Sequence, residues 1–379
     1  MKSPKLRILI AAAIYPPDPG GPATHAARYE RDFDALGHKV RLLVFSRLLW
    51  LPFGVRHLVF LLRMFQAAAG VDVIYAQDAM STGWASFMAA FVLRRKLVYR
   101  IGGDMVWERA LERGGAAVPI REFYRSGDHK KSRLFAFQRF SLARADHIIV
   151  PSPLLIDIYT KHYNIAPERI VLIPNPVPSP NPDLRGSTLG VEPLRSEEAR
   201  TLVFSSRLVS YKNLDLFLDA FAAVYESIAP AKVILIGDGP ERGNLKTLVK
   251  RLGLVDQVIF PGRLPHQEAL EHIRAARATI APALTEFNPN FVLEGFAHGV
   301  PTIMSQEHGL PFVMPKELLF DPMDRASLEE RLRYIYSPAG YKEAKELVAL
   351  IPLTQTWDKV VAENLRVLEE AQNGQIDQT

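Results

Sequence analysis

Short apolar runs alternate with longer amphipathic stretches along the whole chain of 379 residues. In the first half, the apolar runs predict strands at 7–13, 39–45, 72–77, 96–101, 147–152 and 170–174. In the second half, they predict strands at 201–206, 232–237, 257–262, 278–283, 301–305 and 318–320. Stretches with helical spacing lie between them, for example at 213–228 and 266–277. Strands separated by helices of this length predict parallel sheets with right-handed crossovers.

A segment rich in proline, asparagine and serine divides this pattern into two similar halves. Such a composition is typical of an inter-domain linker, and the chain is too long for one ordinary core. We therefore predict an α/β protein with a doubly wound Rossmann-like domain at 1–175 and a second one at 199–353. The linker is predicted at 176–198, and 354–379 is predicted to form a final helix that packs back on the first domain.

Two apolar segments have alternative interpretations. The run near the N-terminus follows Lys2, Lys5 and Arg7, as in a secretory signal, but it stops at prolines and leads into a glycine loop. We interpret it as a buried first strand. Residues 46–65 are apolar with interspersed arginines, which fits either ordinary domain core or a helix in a membrane interface. No apolar run reaches the roughly 18 residues that a membrane-spanning helix needs.

Composition narrows the possible partners. The chain has no cysteine, which excludes disulfides and thiolate zinc sites and fits a cytoplasmic protein. Residues 1–190 hold 26 Lys and Arg against 15 Asp and Glu, a balance of +11, whereas the remainder holds 20 against 26, a balance of −6. The basic half suits an anionic membrane surface or an anionic substrate. Nucleic acid is not expected, because no nucleic-acid module accompanies the charge.

The glycine-rich and charged motifs fall just after predicted strands, where parallel sheets bind ligands. They are Gly20-Gly21, Gly102-Gly103-Asp104, Arg207 with Lys212, Gly237-Asp238-Gly239, Gly262 and Glu286. A glycine pair before a helix lets a ligand phosphate approach the backbone, although such pairs also form plain tight turns. Two cations on one strand-to-helix loop suit a diphosphate, but they also occur on ordinary surfaces. Asn213 is predicted to cap the following helix.

The segment TEFNPNFVLEGFAHGVP (285–301) places two carboxylates in different backbone settings. Glu286 falls in a loop, and Glu294 falls on a helix for which we predict Asn288 as N-cap and Pro289 as first residue. Gly299 is predicted to end that helix. Carboxylates accept paired hydrogen bonds from vicinal hydroxyls, so two of them suit a ligand with a sugar at each end.

The start of the same helix predicts an anion site. Backbone N–H groups of Asn290, Phe291 and Val292 lie in the first turn, where they have no partner within the helix. A phosphate bound there would lie between the two glutamates. The segment therefore suits a ligand that has a sugar at each end of a diphosphate.

These motifs resemble the retaining GT-B glycosyltransferases of family 4, which carry a Glu-x7-Glu motif, here Glu286 through Glu294. The resemblance extends over essentially the whole chain, including GDGPE at 237–241 and the final helix. It implies two Rossmann-like domains with a cleft between them. It also implies transfer of a hexose from a nucleotide-diphosphate sugar to a glycan or lipid-linked acceptor, without a cofactor or metal.

The resemblance further implies roles for individual residues. Arg207 and Lys212 would hold the diphosphate, with Gly20 and Gly21 approaching the same phosphates. Glu286 would contact the transferred sugar and Glu294 the ribose. The phosphates would also meet the backbone of Phe291 and Val292, and the base would meet the main chain near Leu264.

Two departures from the family pattern concern the sugar. Many members have a histidine after the fourth strand of the first domain, where this chain has Asp104. We expect Asp104 to face the donor sugar or the acceptor. Many members also have Gly-Phe-Gly after the first glutamate, whereas this chain has Phe-Asn-Pro-Asn. We expect this form to keep the helix start and to change which sugar hydroxyls Glu286 reaches.

Three weaker signals point elsewhere and are set aside. The glycines at 237–243 come close to a dinucleotide fingerprint, but one gap is a residue too long. Asp32 and Asp34 match a metal-binding Asp-x-Asp, but residues two apart on a helix face different directions. The histidines show no metal-ligand spacing, so no metal is predicted.

Two other functions remain open at this point. A sugar-nucleotide epimerase with the same architecture would convert the donor without an acceptor. A catalytically silent protein would bind a sugar nucleotide without reaction. The resemblance places the enzyme in the cytoplasm, with peripheral contact at the inner face of the plasma membrane as an option for the basic half.

Overall fold

A computed structural model describes residues 5–18, 20–177 and 200–374. It contains two six-stranded sheets in which every strand pairing is parallel. All twelve predicted strands are confirmed within a residue or two. The strands are β1 Arg7–Ala12, β2 Lys39–Val44, β3 Val73–Ala76, β4 Lys96–Arg100, β5 His147–Val150, β6 Ile170–Leu172, β7 Thr201–Ser205, β8 Lys232–Ile236, β9 Val258–Gly262, β10 Ala278–Ala281, β11 Thr302–Ser305 and β12 Leu319–Phe320.

Helices connect the strands, as the amphipathic stretches predict. They are α1 Gly21–Ala35, α2 Phe53–Ala68, α3 Gly83–Leu93, α4 Met105–Glu112, α5 Ile120–Ser126, α6 Arg133–Leu142, α7 Pro153–Lys161, α8 Leu214–Ile228, α9 Arg242–Arg251, α10 His266–Arg274, α11 Asn290–Ala297, α12 Arg325–Tyr336, α13 Pro338–Ala349 and α14 Trp357–Asn373. None of these helices, within the described residues, combines the length and apolar character needed to cross a bilayer.

The first sheet has the strand order β2-β1-β3-β4-β5-β6. Strand β1 is the apolar run near the N-terminus, and its last five residues are buried between β2 and β3. The chain runs outward from β1 to β2 and then reverses to β3, so the switch point lies between β1 and β3. Helix α14 covers this sheet with Val360, Val361, Val367 and Leu368, which join the core of β1, β3 and α1.

The second sheet has the strand order β12-β11-β10-β7-β8-β9. The chain runs from β7 outward to β9 and then returns to β10 on the other side of β7. The switch point therefore lies between β7 and β10, the strands that precede Lys212 and Glu286. Large apolar residues of this sheet and of the helices packed on it are buried, including Phe204 of β7 and Phe217 and Phe221 of α8.

The compact units do not follow a single boundary along the chain. The described residues within 1–106, 126–175 and 357–379 form one unit, and those within 107–125 and 176–356 form the other. The final helix thus belongs with the first sheet, and the segment 107–125 belongs with the second sheet although it precedes the predicted linker. Most of that linker, 178–198, lies outside the described residues.

Candidate functional site

The loop after β7 carries both predicted cations of the diphosphate site. Arg207 is exposed, whereas Lys212 ends a short 3-10 turn and is buried. Asn213 occupies the N-cap position of α8, but the predicted side-chain cap is wrong. Its backbone is left-handed, with φ of 54°, and its side-chain amide donates to the carbonyl of Pro322 at 2.9 Å instead.

Two glycines of the GDGPE motif hold this loop in place. A Cβ atom on Gly237 would lie 2.0 Å from the Ser206 carbonyl oxygen, and one on Gly239 would lie 2.2 Å from that of Leu208. The Leu208 N–H also donates to the Asp238 carbonyl at 3.0 Å. Only glycine permits this approach, so the motif positions the loop that bears Arg207.

A buried ion pair joins the carboxyl ends of β7 and β10. The Lys212 ammonium lies 2.6 Å from a carboxylate oxygen of Glu286, and the two side chains are only 10% and 5% exposed. Charges are rarely buried to this degree unless they are paired, because desolvation is costly. The structure thus brings two predicted site residues, 74 positions apart, together at the switch point of the sheet.

Backbone hydrogen bonds fix the loop of Glu286. Its N–H donates to the Glu307 carbonyl at 3.0 Å, and its own carbonyl accepts from Gly309 at 2.7 Å, forming an isolated parallel bridge. The carboxylate is therefore carried by an ordered backbone. The prediction that the first glutamate lies in a loop and Glu294 on a helix is confirmed.

Helix α11 begins later than predicted. Pro289, with ψ of 120°, is the N-cap, and no side chain caps the helix, so the assignments of Asn288 and Pro289 are wrong. Asn290 and Phe291 occupy the first turn as expected. The Val292 N–H, however, lies 3.2 Å from the Pro289 carbonyl and is engaged there. Gly299, with φ of +65°, ends the helix as predicted.

Glu294 has a partner that sequence reasoning missed. His266 Nε2 lies 2.8 Å from its carboxylate, and His266 begins α10 two residues after Leu264. Leu264 packs its side chain against the core of the second unit. The hydrogen bond with Glu294 raises the pKa of His266, and partial burial opposes this rise. The structure therefore brings the predicted base and ribose positions together.

This pair predicts a pH-dependent stability. Because the folded pKa of His266 is raised, its contribution is complete below the ordinary value of about 6.5 and is lost as pH rises through the raised pKa. We expect wild type to exceed His266→Ala in free energy of unfolding by up to ~1 kcal/mol near pH ~5.5, since His266 is largely exposed. Urea unfolding should show that this difference in the free energy of unfolding vanishes near pH ~9. His272→Ala, on the same helix, is the control. A difference between wild type and His266→Ala that does not change with pH would contradict the pairing of His266 with Glu294.

Residues 107–125 contact the loops that carry the candidate site, which sequence reasoning also missed. Ile120 donates its N–H to the Thr285 hydroxyl at 3.0 Å, and Arg121 pairs with Glu307 at 2.9 Å. Thr285 and Glu307 are the chain neighbours of Glu286 and His308, the two residues of the parallel bridge. The segment is therefore anchored to the loops that follow β10 and β11, and the first of these loops carries Glu286.

An aromatic cluster lies between this segment and the site. The ring of Trp107 is 5.4 Å from that of Tyr211 and 6.2 Å from that of Phe287. Burial raises the pKa of Tyr211, and the carboxylates of Glu108 and Glu286 raise it further. Tyr211 thus stays neutral beside Lys212 and provides an apolar wall for the site.

The remaining predicted residues belong to the first unit. Gly20 precedes α1 with φ of +128°, a conformation that favours glycine, and Gly21 is the first residue of that helix. Asp104 follows β4 and is fully buried, with the Tyr163 hydroxyl 3.4 Å from its carboxylate. The structure gives Asp104 a role inside the first unit, and its contact with a sugar stays a prediction.

Among the described residues, no group of three or more histidine or acidic side chains is arranged to hold a metal ion. Asp32 and Asp34 of the Asp-x-Asp sequence lie on helix α1, as expected. The basic side chains at the candidate site include those of Arg207, Lys212 and His266.

Two family models match the chain. The model described as Glycosyltransferase Family 4 matches residues 19–179, and the model described as Glycosyl transferases group 1 matches residues 191–347. The first match covers most of the first half of the chain. The second match contains Arg207, Lys212 and both glutamates.

Individual glycosyltransferases and solved structures are also similar to this chain. The phosphatidylinositol N-acetylglucosaminyltransferase gpi3 subunit of Schizosaccharomyces pombe is 22% identical over an alignment of 384 residues, gaps included. The alignment covers 93% of this chain and 81% of that protein. The structure of sucrose-phosphate synthase (tll1590) from Thermosynechococcus elongatus superposes with a TM-score of 0.73 and 16% identity, covering 98% of this chain and 100% of that one. The structure of Anabaena Alr3699/HepE in complex with UDP and glucose gives a TM-score of 0.68 and 18% identity, covering 96% and 100%.

At these identities, the solved structures establish a shared fold, in agreement with the two doubly wound sheets. The family models and the relatives add a shared enzyme class. The chain belongs to the family 4 GT-B glycosyltransferases.

Proposed function

We propose that this glycosyltransferase is a retaining, metal-independent enzyme that moves a hexose from a nucleotide-diphosphate sugar to a glycan or lipid-linked acceptor. Its product would belong to a cell-surface polysaccharide or glycolipid. The observation that carries the proposal is the buried pair of Lys212 and Glu286 at the switch point, with the exposed Arg207 on the same loop as Lys212. A cation for phosphate and a carboxylate for hydroxyls at one strand edge suit both parts of a sugar nucleotide.

In this proposal, Arg207 and Lys212 neutralise the diphosphate, and the first turn of α11, at Asn290 and Phe291, adds a backbone anion site. Because the Val292 N–H is engaged by Pro289, it contributes only if that contact opens on binding. Gly20 and Gly21 are proposed to contact the same phosphates. These cations and backbone groups replace a metal ion as the source of positive charge.

Glu286 binds hydroxyls of the transferred sugar, and Glu294, held by His266, binds the ribose beside the main chain of Leu264. Asp104 is assigned to the sugar side of the first unit. The structure of Anabaena Alr3699/HepE contains UDP and glucose, which supports a uridine nucleotide as the first donor to test.

The reaction proposed is a front-face displacement. The bond between the anomeric carbon and the diphosphate oxygen breaks, and the acceptor hydroxyl forms its bond to that carbon on the same face. The hydroxyl proton passes to the leaving diphosphate, which departs as the nucleotide diphosphate. Arg207 and Lys212 stabilise the negative charge on the leaving group, and no side chain acts as nucleophile.

The proposed acceptor and the proposed location of the enzyme are supported by the charge of residues 1–190 and by a relative of this chain. The Schizosaccharomyces pombe relative is named for phosphatidylinositol, which supports a lipid-linked acceptor. The balance of +11 in residues 1–190 supports peripheral contact with an anionic membrane. We propose a cytoplasmic enzyme that meets its acceptor at the inner face of the plasma membrane.

A binding and stereochemistry experiment tests the proposal. With EDTA present, one of UDP-, GDP-, ADP- or TDP-glucose should raise the melting temperature of the purified protein, and Glu294→Ala should reduce that shift. Proton NMR of slow donor hydrolysis should then show α-glucose as the first product. A β-anomer would contradict retention, and a requirement for added Mg²⁺ would contradict metal independence. An epimerised sugar nucleotide, or binding without any turnover, would support the two alternatives.

A further inference from the structure

Three neighbouring helices of the first unit expose apolar side chains to solvent. Within the described residues, seventeen large apolar side chains are exposed, and eleven of them lie on or just before α2, α3 and α6. Monomeric proteins rarely expose apolar residues in such a concentration unless the surface has a partner. We call the segments 46–68, 83–95 and 133–144, which contain these three helices and adjoining residues, the arginine face.

Helix α2 is apolar on two opposite sides. Phe60 and Met64 are fully buried, whereas Val55, Leu58 and Leu62 are 47%, 57% and 56% exposed. The domain-core interpretation of this segment is therefore confirmed for one side of the helix, whereas the other side is exposed and its membrane-interface interpretation stays a prediction. Just before this helix and at its first residue, Trp50 and Phe53 are 79% and 76% exposed.

Helices α3 and α6 continue the same surface. On α3, Met88, Phe91 and Val92 are exposed at the spacing of one helix face. On α6, Phe137 and Phe140 are exposed one turn apart. Helix α3 packs against both α2 and α6. The ring of Phe87 on α3 also lies 5.5 Å from that of Phe140 on α6, so the exposed residues belong to three adjoining helices.

The charge of the arginine face is entirely positive. The segments 46–68, 83–95 and 133–144 contain eight arginines and no aspartate or glutamate. Arg63, Arg94 and Arg139 are exposed there. Aromatic residues with interspersed cations are typical of helices that lie in the headgroup region of a bilayer, where rings enter the apolar boundary and cations meet lipid phosphates.

We infer that the arginine face docks on an anionic lipid bilayer. A second copy of this chain fits less well, because a symmetric dimer would oppose two acid-free basic surfaces. An anionic membrane supplies both the apolar layer and the negative charge that the face lacks. The inference specifies the membrane contact proposed above, but it depends on the surface alone and not on the transfer reaction.

Vesicle binding without donor or acceptor tests this inference. Wild type should co-sediment with phosphatidylcholine vesicles containing phosphatidylglycerol at least tenfold more strongly than with pure phosphatidylcholine vesicles, and high salt should weaken binding. Trp50→Ser with Phe53→Ser, and separately Arg63→Glu with Arg139→Glu, should each lower binding at least tenfold. Because these residues are exposed, the variants should melt at nearly the wild-type temperature and hydrolyse donor at the wild-type rate.

Matched changes on the second unit are the controls. Val313→Ser with Leu350→Ser removes apolar residues that are 92% and 80% exposed. Lys250→Glu with Arg251→Glu makes the same change in charge as the arginine pair. Neither control should alter binding. Equal binding to both vesicle types, or equal losses in the controls, would overturn the inference, as would a wild-type dimer that the Trp50 and Phe53 changes dissociate.

Discussion

Replacing Arg207 by alanine is expected to lower the turnover number for sugar transfer by about 10²–10³-fold, the usual effect of removing one group that stabilises transition-state charge. The side chain is exposed and makes no ion pair with any residue that the structure describes. The close approach of Gly237 and Gly239 positions its loop. Negative charge grows on the diphosphate as the glycosidic bond breaks, so the guanidinium contributes most in the transition state.

Steady-state kinetics with the donor identified by melting temperature measures this effect. Arg207→Lys should fall between wild type and alanine, because it keeps the charge but loses the paired geometry of guanidinium and phosphate. Arg251→Ala is the matched control, since the end of α9 lies at the opposite edge of the sheet from the strand ends that carry the site. A turnover number close to wild type for Arg207→Ala would remove this residue from catalysis.

The strands could be predicted because parallel strands are buried on both faces and therefore appear as nearly continuous apolar runs. Helix starts were less predictable. Asn288-Pro289 has the composition of a helix cap, yet Pro289 keeps an extended ψ and the helix begins at Asn290. Periodicity also reports that a residue is buried but not which sheet buries it. Nothing local therefore assigns residues 107–125 to the second unit.

The placement of the candidate residues was predictable where they follow strands directly, as Arg207 and Glu286 do. Contacts between distant side chains were not. His266 lies 28 positions from Glu294 and has no metal-ligand spacing, and Thr285 lies 165 positions from Ile120. The one signal available for His266 was its place at the start of a helix after β9, the same edge of the sheet as the other site residues.

The pair of Lys212 and Glu286 is expected to have separable effects on stability and activity. Lys212→Met would leave the Glu286 carboxylate, only 5% exposed, without its counter-charge. Removing one partner of a buried ion pair typically lowers the free energy of unfolding by about 3–5 kcal/mol. Urea unfolding of the single variant should show this loss, and transfer should be undetectable.

The double variant Lys212→Met with Glu286→Leu distinguishes a structural from a functional reason for the pair. Apolar residues of similar size often replace a buried ion pair at no net cost, so most of the lost stability should return while transfer stays undetectable. Such a result would mean that this buried pair is kept for binding phosphate and sugar, since an apolar pair would fold as well. A single Lys212→Met variant as stable as wild type would instead mean that Glu286 gains water or another partner, and the site geometry described above would be wrong.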